Sequence, residues 1–147
     1  MRKATLALPP LFILAERTGS RVTLRADTGA VAHVFVLEDD IIRVVLLAGG
    51  VSTSPPSWAV APGQTDIAEP GRDRMDVSGF AAPVFTLDEA EGVLVLTTSR
   101  LRLEITLAGF FCRWSQAASD GWRVIAEDRP TQAYNFGWWD EKVHHYL

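Results

Sequence analysis

Paired carboxylates are the residues of this sequence that could do acid–base chemistry. Such chemistry needs two acids that converge on one cleft, and the sequence offers Asp39-Asp40, Asp73 with Asp76, and Glu127-Asp128. Asp39-Asp40 lies in a predicted turn, where Asp supports the backbone. Charges alternate around Asp73, which is typical of a solvated ion-pair network. We therefore expect structural roles for these acids and assign no catalytic residue.

Histidine and cysteine are few. His144 and His145 are adjacent, so on a strand they point to opposite faces and cannot easily bind one metal ion together. His33 alternates with apolar neighbours, which predicts a packed or hydrogen-bonded side chain. Cys112 shares a strand face with aromatic residues, which predicts a buried, inert thiol. The sequence contains no nucleophile elbow, phosphate loop or dinucleotide motif, so we expect neither a metal nor a cofactor.

Aromatic side chains are the remaining resource, with five tryptophans in the chain. Trp138 and Trp139 are adjacent, and one of two neighbouring side chains in a strand or turn tends to face outward. An exposed indole can stack on a sugar ring or pack on another domain. A domain contact is favoured, because the apolar ending 143–147 reads as that of a fragment. Tyr134 and Trp58 complete the candidate carbohydrate-binding or docking residues.

Composition sets the outer limits. The chain has 147 residues, of which 48% are hydrophobic, so we expect one domain over 1–147 with a real core. Its net charge is −4, and its basic residues are spread along the sequence, which argues against nucleic-acid or anionic-membrane partners. No apolar run approaches the roughly twenty residues of a membrane span. A single cysteine and a broken N-terminal apolar run favour the cytoplasm.

The apolar clusters are short, rich in Val, Ile, Leu, Thr and Phe, and bounded by Gly, Pro or Asp, which predicts strands. The clearest is 100–107, where four apolar residues share one face, namely Leu101, Leu103, Ile105 and Leu107. With 92–98 before it and 110–114 after it, this segment predicts a three-strand meander.

A second meander is predicted over 21–27, 30–37 and 41–47, and two short strands around a turn within 127–147. Between the meanders, 48–83 is a long excursion that we expect to be ordered by contacts. The sequence therefore predicts an all-β fold, an antiparallel β-sandwich of roughly ten strands with one Greek-key-like crossing.

Several short motifs occur in an order that resembles the N-terminal domain of glycoside hydrolase family 31, the α-glucosidase and α-xylosidase family. They are Ile42-Arg43-Val44, Ser57-Trp58-Ala59-Val60, Leu101-Arg102-Leu103, Trp114, Glu127-Asp128, Ala133-Tyr134 and Val143-His144-His145-Tyr146. The resemblance implies a galactose-mutarotase-like β-sandwich that packs on a (β/α)8 barrel. Both catalytic aspartates of that family lie in the barrel, and no residue here matches either. It thus implies an inactive accessory domain of a retaining α-glycosidase, whose barrel would be its partner.

Two alternatives stay open. A free-standing carbohydrate-binding module would need Trp138, Trp139 or Trp58 exposed in one groove with polar neighbours. An aldose epimerase would need a His and a Glu that converge on a concave sheet face, with His33, His144 or His145 as the base. We also expect weak self-association through the final strand at 143–147.

Overall fold

The computed structural model describes residues 8–50, 62 and 71–129, together with the backbone of 134–136 and 143–145. Within these ranges every regular element is a β-strand, so they contain no helix that could cross a membrane. In chain order the strands are β1 Phe12–Thr18, β2 Arg21–Ala26, β3 Val31–Glu38, β4 Ile41–Leu47, β5 Thr86–Ala90, β6 Val93–Thr97, β7 Leu101–Thr106, β8 Phe111–Ala118, β9 Gly121–Glu127, β10 Tyr134–Phe136 and β11 Val143–His145. The predicted all-β class is confirmed.

Two meanders form the two main sheets. The first has the order β1-β2-β3-β4 and the second β5-β6-β7-β8-β9, and all neighbouring strands are antiparallel. Within each sheet the connections are two to four residues long, and such short turns join only adjacent antiparallel strands. The expected Greek-key crossing is therefore wrong for the described strands. β10 and β11 form a separate antiparallel pair, as predicted.

The core lies between the facing sides of the two sheets. On β7 the residues Leu101, Leu103 and Ile105 are buried and the intervening ones are half-buried, which confirms the predicted alternation. One buried cluster draws on both sheets and includes Phe12, Val22, Leu24, Ala32, Val34, Val36, Leu94, Leu96, Leu103, Ile105, Phe110 and Cys112. Each buried Leu, Ile or Phe contributes about 1.5–3 kcal/mol relative to exposure. This cluster therefore holds the sheets together as an antiparallel β-sandwich.

Three edge strands, β1, β5 and β9, escaped the sequence analysis. Most of their residues are exposed, so they lack the alternation that marks a half-buried strand. β1 and β9 each carry one extra residue relative to the neighbouring strand, Ala15 in β1 and Ile125 in β9. Such a β-bulge bends and twists an edge strand.

The first strand also ties the two sheets together at one end of the sandwich. The Phe12 amide donates a hydrogen bond to the Leu107 carbonyl (2.9 Å), and the Gly109 amide donates to the Pro10 carbonyl (2.8 Å). Gly109 has a φ of 90°, and a Cβ there would come within 2.8 Å of the Phe111 ring. The predicted turn at Ala108-Gly109 thus requires glycine at its second residue.

The outer side of the four-stranded sheet is covered, although it faces away from the core. Val31 and Phe35 on this side are 5% and 2% exposed. The chain returns to this sheet near residue 82, where the Ala82 amide donates to the Leu37 carbonyl (3.0 Å) and the Ala81 amide donates to Glu38 Oε1 (3.0 Å). The described part of the 48–83 excursion is therefore ordered by contacts, as predicted.

Candidate functional site

Asp39 and Asp40 join the two sheets. They form the turn between β3 and β4, and this turn meets the turn between β6 and β7. Thr98 Oγ1 donates to the Asp39 carbonyl (2.6 Å), and Ser99 Oγ donates to Asp39 Oδ1 (2.6 Å). Asp40 forms an ion pair with Arg100 (2.9 Å). The structural role predicted for these two acids is confirmed.

Asp73 and Asp76 fold the segment that returns to the four-stranded sheet. Asp76 Oδ1 accepts a hydrogen bond from the Ser78 amide (2.9 Å), and Arg72 Nε lies 2.9 Å from Asp76 Oδ2. The hydrogen bonds from Ser78, reinforced by Arg72, lower the pKa of Asp76 to about 2. Asp73 Oδ1 accepts from the Met75 amide (2.7 Å). The predicted ion pairing is confirmed for Arg72 with Asp76, and both acids also accept hydrogen bonds from backbone amides.

A clasp built on Arg43, which we call the Arg43 clasp, holds this segment against β4. Arg43 Nη1 donates to the carbonyls of Arg74 (2.7 Å) and Asp76 (3.0 Å). The Phe80 ring receives two guanidinium groups, with the Cζ of Arg43 5.6 Å and that of Arg72 5.1 Å from its centroid. These cation–π contacts add to the charge-assisted hydrogen bonds. The clasp satisfies backbone carbonyls and has a structural role.

Glu127 and Asp128 are adjacent in sequence but make different contacts. Asp128 is 5% exposed; its Oδ2 accepts from the Cys112 amide (2.9 Å), and its own amide donates to the Cys112 carbonyl (2.9 Å). Glu127 instead forms an exposed ion pair with Arg113 (3.4 Å). Cys112 is 2% exposed, which confirms the predicted buried thiol. This acid pair extends β8–β9 pairing and does not converge on a cleft.

His33 lies on the outer side of the four-stranded sheet, where its Nδ1 is 3.1 Å from Thr23 Oγ1. The prediction of a hydrogen-bonded histidine is confirmed. Burial, followed by the charges of Arg21 and Arg25, lowers the pKa of His33. In the strand register Glu16 pairs with Thr23 and Thr23 with His33, so a whole strand separates the acid from the base. This arrangement does not bring together the His and Glu of an epimerase-type pair.

Most of the aromatic residues that the sequence singled out are not among the described residues. Trp58, Trp138 and Trp139 lie outside the described residues. Tyr134 is described only in its backbone, where it pairs with His145 across the β10–β11 hairpin. Their proposed roles in carbohydrate binding or domain docking stay predictions.

An aromatic residue that the sequence did not single out lies on the outer face of the five-stranded sheet. Trp122, on the edge strand β9, is 39% exposed. The Cζ of Arg102 on β7 lies 5.9 Å from the centroid of the Trp122 ring. We call these two residues the Trp122–Arg102 pair. The sequence of β9 gave no alternating signal, because the apolar Ile125 interrupts the spacing after Trp122 and Val124 and every residue of the strand is exposed.

The described residues also bear on metal binding. No group of three or more His, Cys, Asp or Glu side chains in those ranges could hold a metal ion. Where their contacts are described, the acids instead accept hydrogen bonds from backbone amides and hydroxyl groups or pair with arginine. In the described part of the chain, the acids therefore have structural roles. The Trp122–Arg102 pair is the exposed candidate for ligand binding.

Comparison with known proteins adds one structural relative. No family model matches the chain, and no curated protein matches it. The fold is similar to that of the uncharacterized protein lmo2446 from Listeria monocytogenes EGD-e, solved in complex with α-D-glucose, β-D-glucose, magnesium and calcium. The TM-score is 0.55 at 16% sequence identity, over 86% of this chain and 10% of lmo2446. The chain thus spans about a tenth of that protein's length, and the likeness shows a shared β-sandwich fold.

Proposed function

We propose that this chain is a non-catalytic accessory β-sandwich domain of a carbohydrate-active enzyme, specifically of an α-glucosidase-like glycoside hydrolase of family 31. The observation that carries the proposal is the likeness to lmo2446, a protein solved with glucose, in which a domain of this fold accounts for about a tenth of the chain. The order of short motifs along the sequence, which resembles the N-terminal domain of that family, supports the finer assignment.

The chemistry of the described acids supports a non-catalytic role. A retaining glycosidase needs two carboxyl groups roughly 5 Å apart across its substrate. The described acid pairs are instead engaged in turns and strand pairing: Asp39 binds Ser99, Asp76 binds Ser78, and Asp128 binds the Cys112 amide. In this proposal a (β/α)8 barrel of the same polypeptide supplies the reaction, and cytoplasmic location stays a prediction.

Comparing two lengths of the polypeptide tests the proposal. Hydrolysis of a chromogenic α-glucoside is measured for this chain alone and for a protein that continues along the reading frame past Leu147. We expect activity in the longer protein and none in the 147-residue chain. Activity in the short chain would contradict the non-catalytic role. A reading frame that ends at Leu147, with no activity, would contradict the accessory-domain assignment.

A free-standing carbohydrate-binding module is the second candidate. It is favoured by the glucose bound in lmo2446 and by the exposed indole of Trp122. The two candidates differ in what the reading frame encodes, so the same pair of proteins distinguishes them. Saturable sugar binding by a chain that ends at Leu147 would favour the binding module.

A further inference from the structure

We propose that the outer face of the five-stranded sheet binds a neutral hexopyranose unit of an oligosaccharide. The Arg102 guanidinium lies over one face of the Trp122 indole, and the other face of the ring is the stacking platform. This inference goes beyond the accessory-domain proposal and stands without it. An accessory domain that binds no sugar would still be an accessory domain, and a sugar site would serve either candidate function.

The strand register leaves room for a platform. Trp122 on β9 lies opposite Ala117 on β8, and Arg102 on β7 lies opposite Ser115 on the other side of β8. Both β8 residues are small, so the indole and the guanidinium can approach each other across that strand. Ser115 is 3% exposed on this outer face, a burial that its larger neighbours Arg102 and Val124 explain. The side chains of Trp122, Arg102 and Val124 thus cover β8 and form the outer surface of the sheet there.

The exposed indole is suited to a sugar ring. Trp122 is 39% exposed, and an aromatic face can pack against the apolar C–H face of a pyranose. Val124, which is 46% exposed and shares this face by register, continues the apolar surface along β9. A second sugar unit can therefore lie beside the first, which favours an oligosaccharide over a single monosaccharide.

The polar neighbours are suited to hydroxyl groups. The Arg102 guanidinium carries several N–H donors and no acceptor, so it can donate to sugar hydroxyl oxygens. Thr97 lies directly opposite Arg102 on β6, and its hydroxyl can both donate and accept. Arg102 lies beside the platform, and Thr97 lies one strand beyond Arg102, so these groups can bind hydroxyl groups of successive units of an oligosaccharide.

The charge of this face favours a neutral ligand. By strand register the acids Asp88, Glu104 and Glu127 lie on the same face as the bases Arg102 and Arg113. Positive charge is therefore not in excess, and a phosphate-bearing ligand such as a nucleic acid would gain little from electrostatic attraction. An uncharged oligosaccharide does not need electrostatic attraction, because stacking and hydrogen bonds supply its affinity.

Titration of the 147-residue chain with maltotriose, followed by NMR of the indole Nε1–H signals, tests this site. The Trp122 signal is identified by its loss in Trp122→Phe. We expect a saturable shift of that signal with a Kd on the order of 1 mM, as suits one exposed platform. The affinities of the variants are measured from backbone amide signals, which every variant retains. Trp122→Ala should weaken binding at least about tenfold and Arg102→Ala about threefold, since one removes stacking and the other removes donors.

Matched variants make the test specific. Trp122→Phe keeps an aromatic face and should retain part of the affinity. Trp114→Phe changes an indole on the core side of the same sheet and should leave the affinity unchanged. Thermal unfolding confirms that each variant is folded. A Trp122 signal that does not move up to about 50 mM maltotriose, more than ten times the expected Kd, would overturn the proposal. So would equal affinities of the wild type, Trp122→Ala and Arg102→Ala.

Discussion

The outer faces of the two sheets differ in one respect that matters for function. On the four-stranded sheet, Phe35 is 2% exposed, and the chain returns over this side to form the Arg43 clasp. On the five-stranded sheet, Trp122 is 39% exposed and contacts the charged side chain of Arg102. Both faces belong to antiparallel meanders of similar pattern. The difference teaches that an excursion outside the meander, and not the strands themselves, decides which face is available to a ligand.

The largest expected effect is a difference in stability between two Phe→Ala variants, one on each outer face. Phe35→Ala removes a ring that is 2% exposed, and we expect a loss of about 3–5 kcal/mol in the free energy of unfolding. Phe111→Ala removes a half-buried ring from the outer face of the other sheet, where about 1–2 kcal/mol is expected. Urea denaturation of both variants measures the difference. Equal losses would show that the two faces are equally covered.

An intermediate effect is expected for the arginine of the clasp. Arg43→Met keeps the apolar stem but loses the hydrogen bonds to the Arg74 and Asp76 carbonyls, at a cost of about 1–3 kcal/mol. Trypsin should then cleave near Arg72 and Arg74 faster than in the wild type.

Arg113 on the open face is the matched control for this variant. Its ion pair with Glu127 is 49% and 55% exposed, so Arg113→Met should cost less than about 1 kcal/mol. Unchanged proteolysis in Arg43→Met would argue that other contacts hold the segment, and the covered face would then not depend on the clasp.

The smallest effect is a pH dependence on the covered face. The pKa of His33 is lowered by burial, so the unfolded chain takes up a proton at this site before the folded chain does. Stability is therefore present above the unfolded pKa of about 6.5 and falls as the pH drops through it toward the lowered folded value. The melting temperature of the wild type should fall more steeply from pH 8 to pH 5.5 than that of His33→Gln. Parallel curves would show that His33 is not desolvated.

Sequence alone predicted the interior of the sandwich well. On β7 one face lies in the core, so its apolar residues alternate with polar ones. On β3 nearly every residue is buried, so its apolar residues run almost continuously. The same holds for the turns, since Asp39-Asp40 and Ala108-Gly109 are residues that turns require. The exposed edge strands β1, β5 and β9 could not be predicted in this way, because nothing in their patterns reflects burial on one side.

The candidate site was harder to predict than the fold. Trp122 is one of five tryptophans, and its platform depends on a partner, Arg102, that lies two strands away. Such a pair depends on strand register, which single-sequence reasoning does not supply. The burial of Cys112, in contrast, followed from its position between Phe110 and Trp114 in the sequence.

The bulges at Ala15 and Ile125 have a consequence for the protein at high concentration. Each extra residue divides its edge strand into two short runs that are out of step with each other. A strand from a second molecule can match the spacing of one run but not of both. Exposed apolar residues on these edges, such as Ile13 and Trp122, are therefore displayed without offering a regular template for fibre growth.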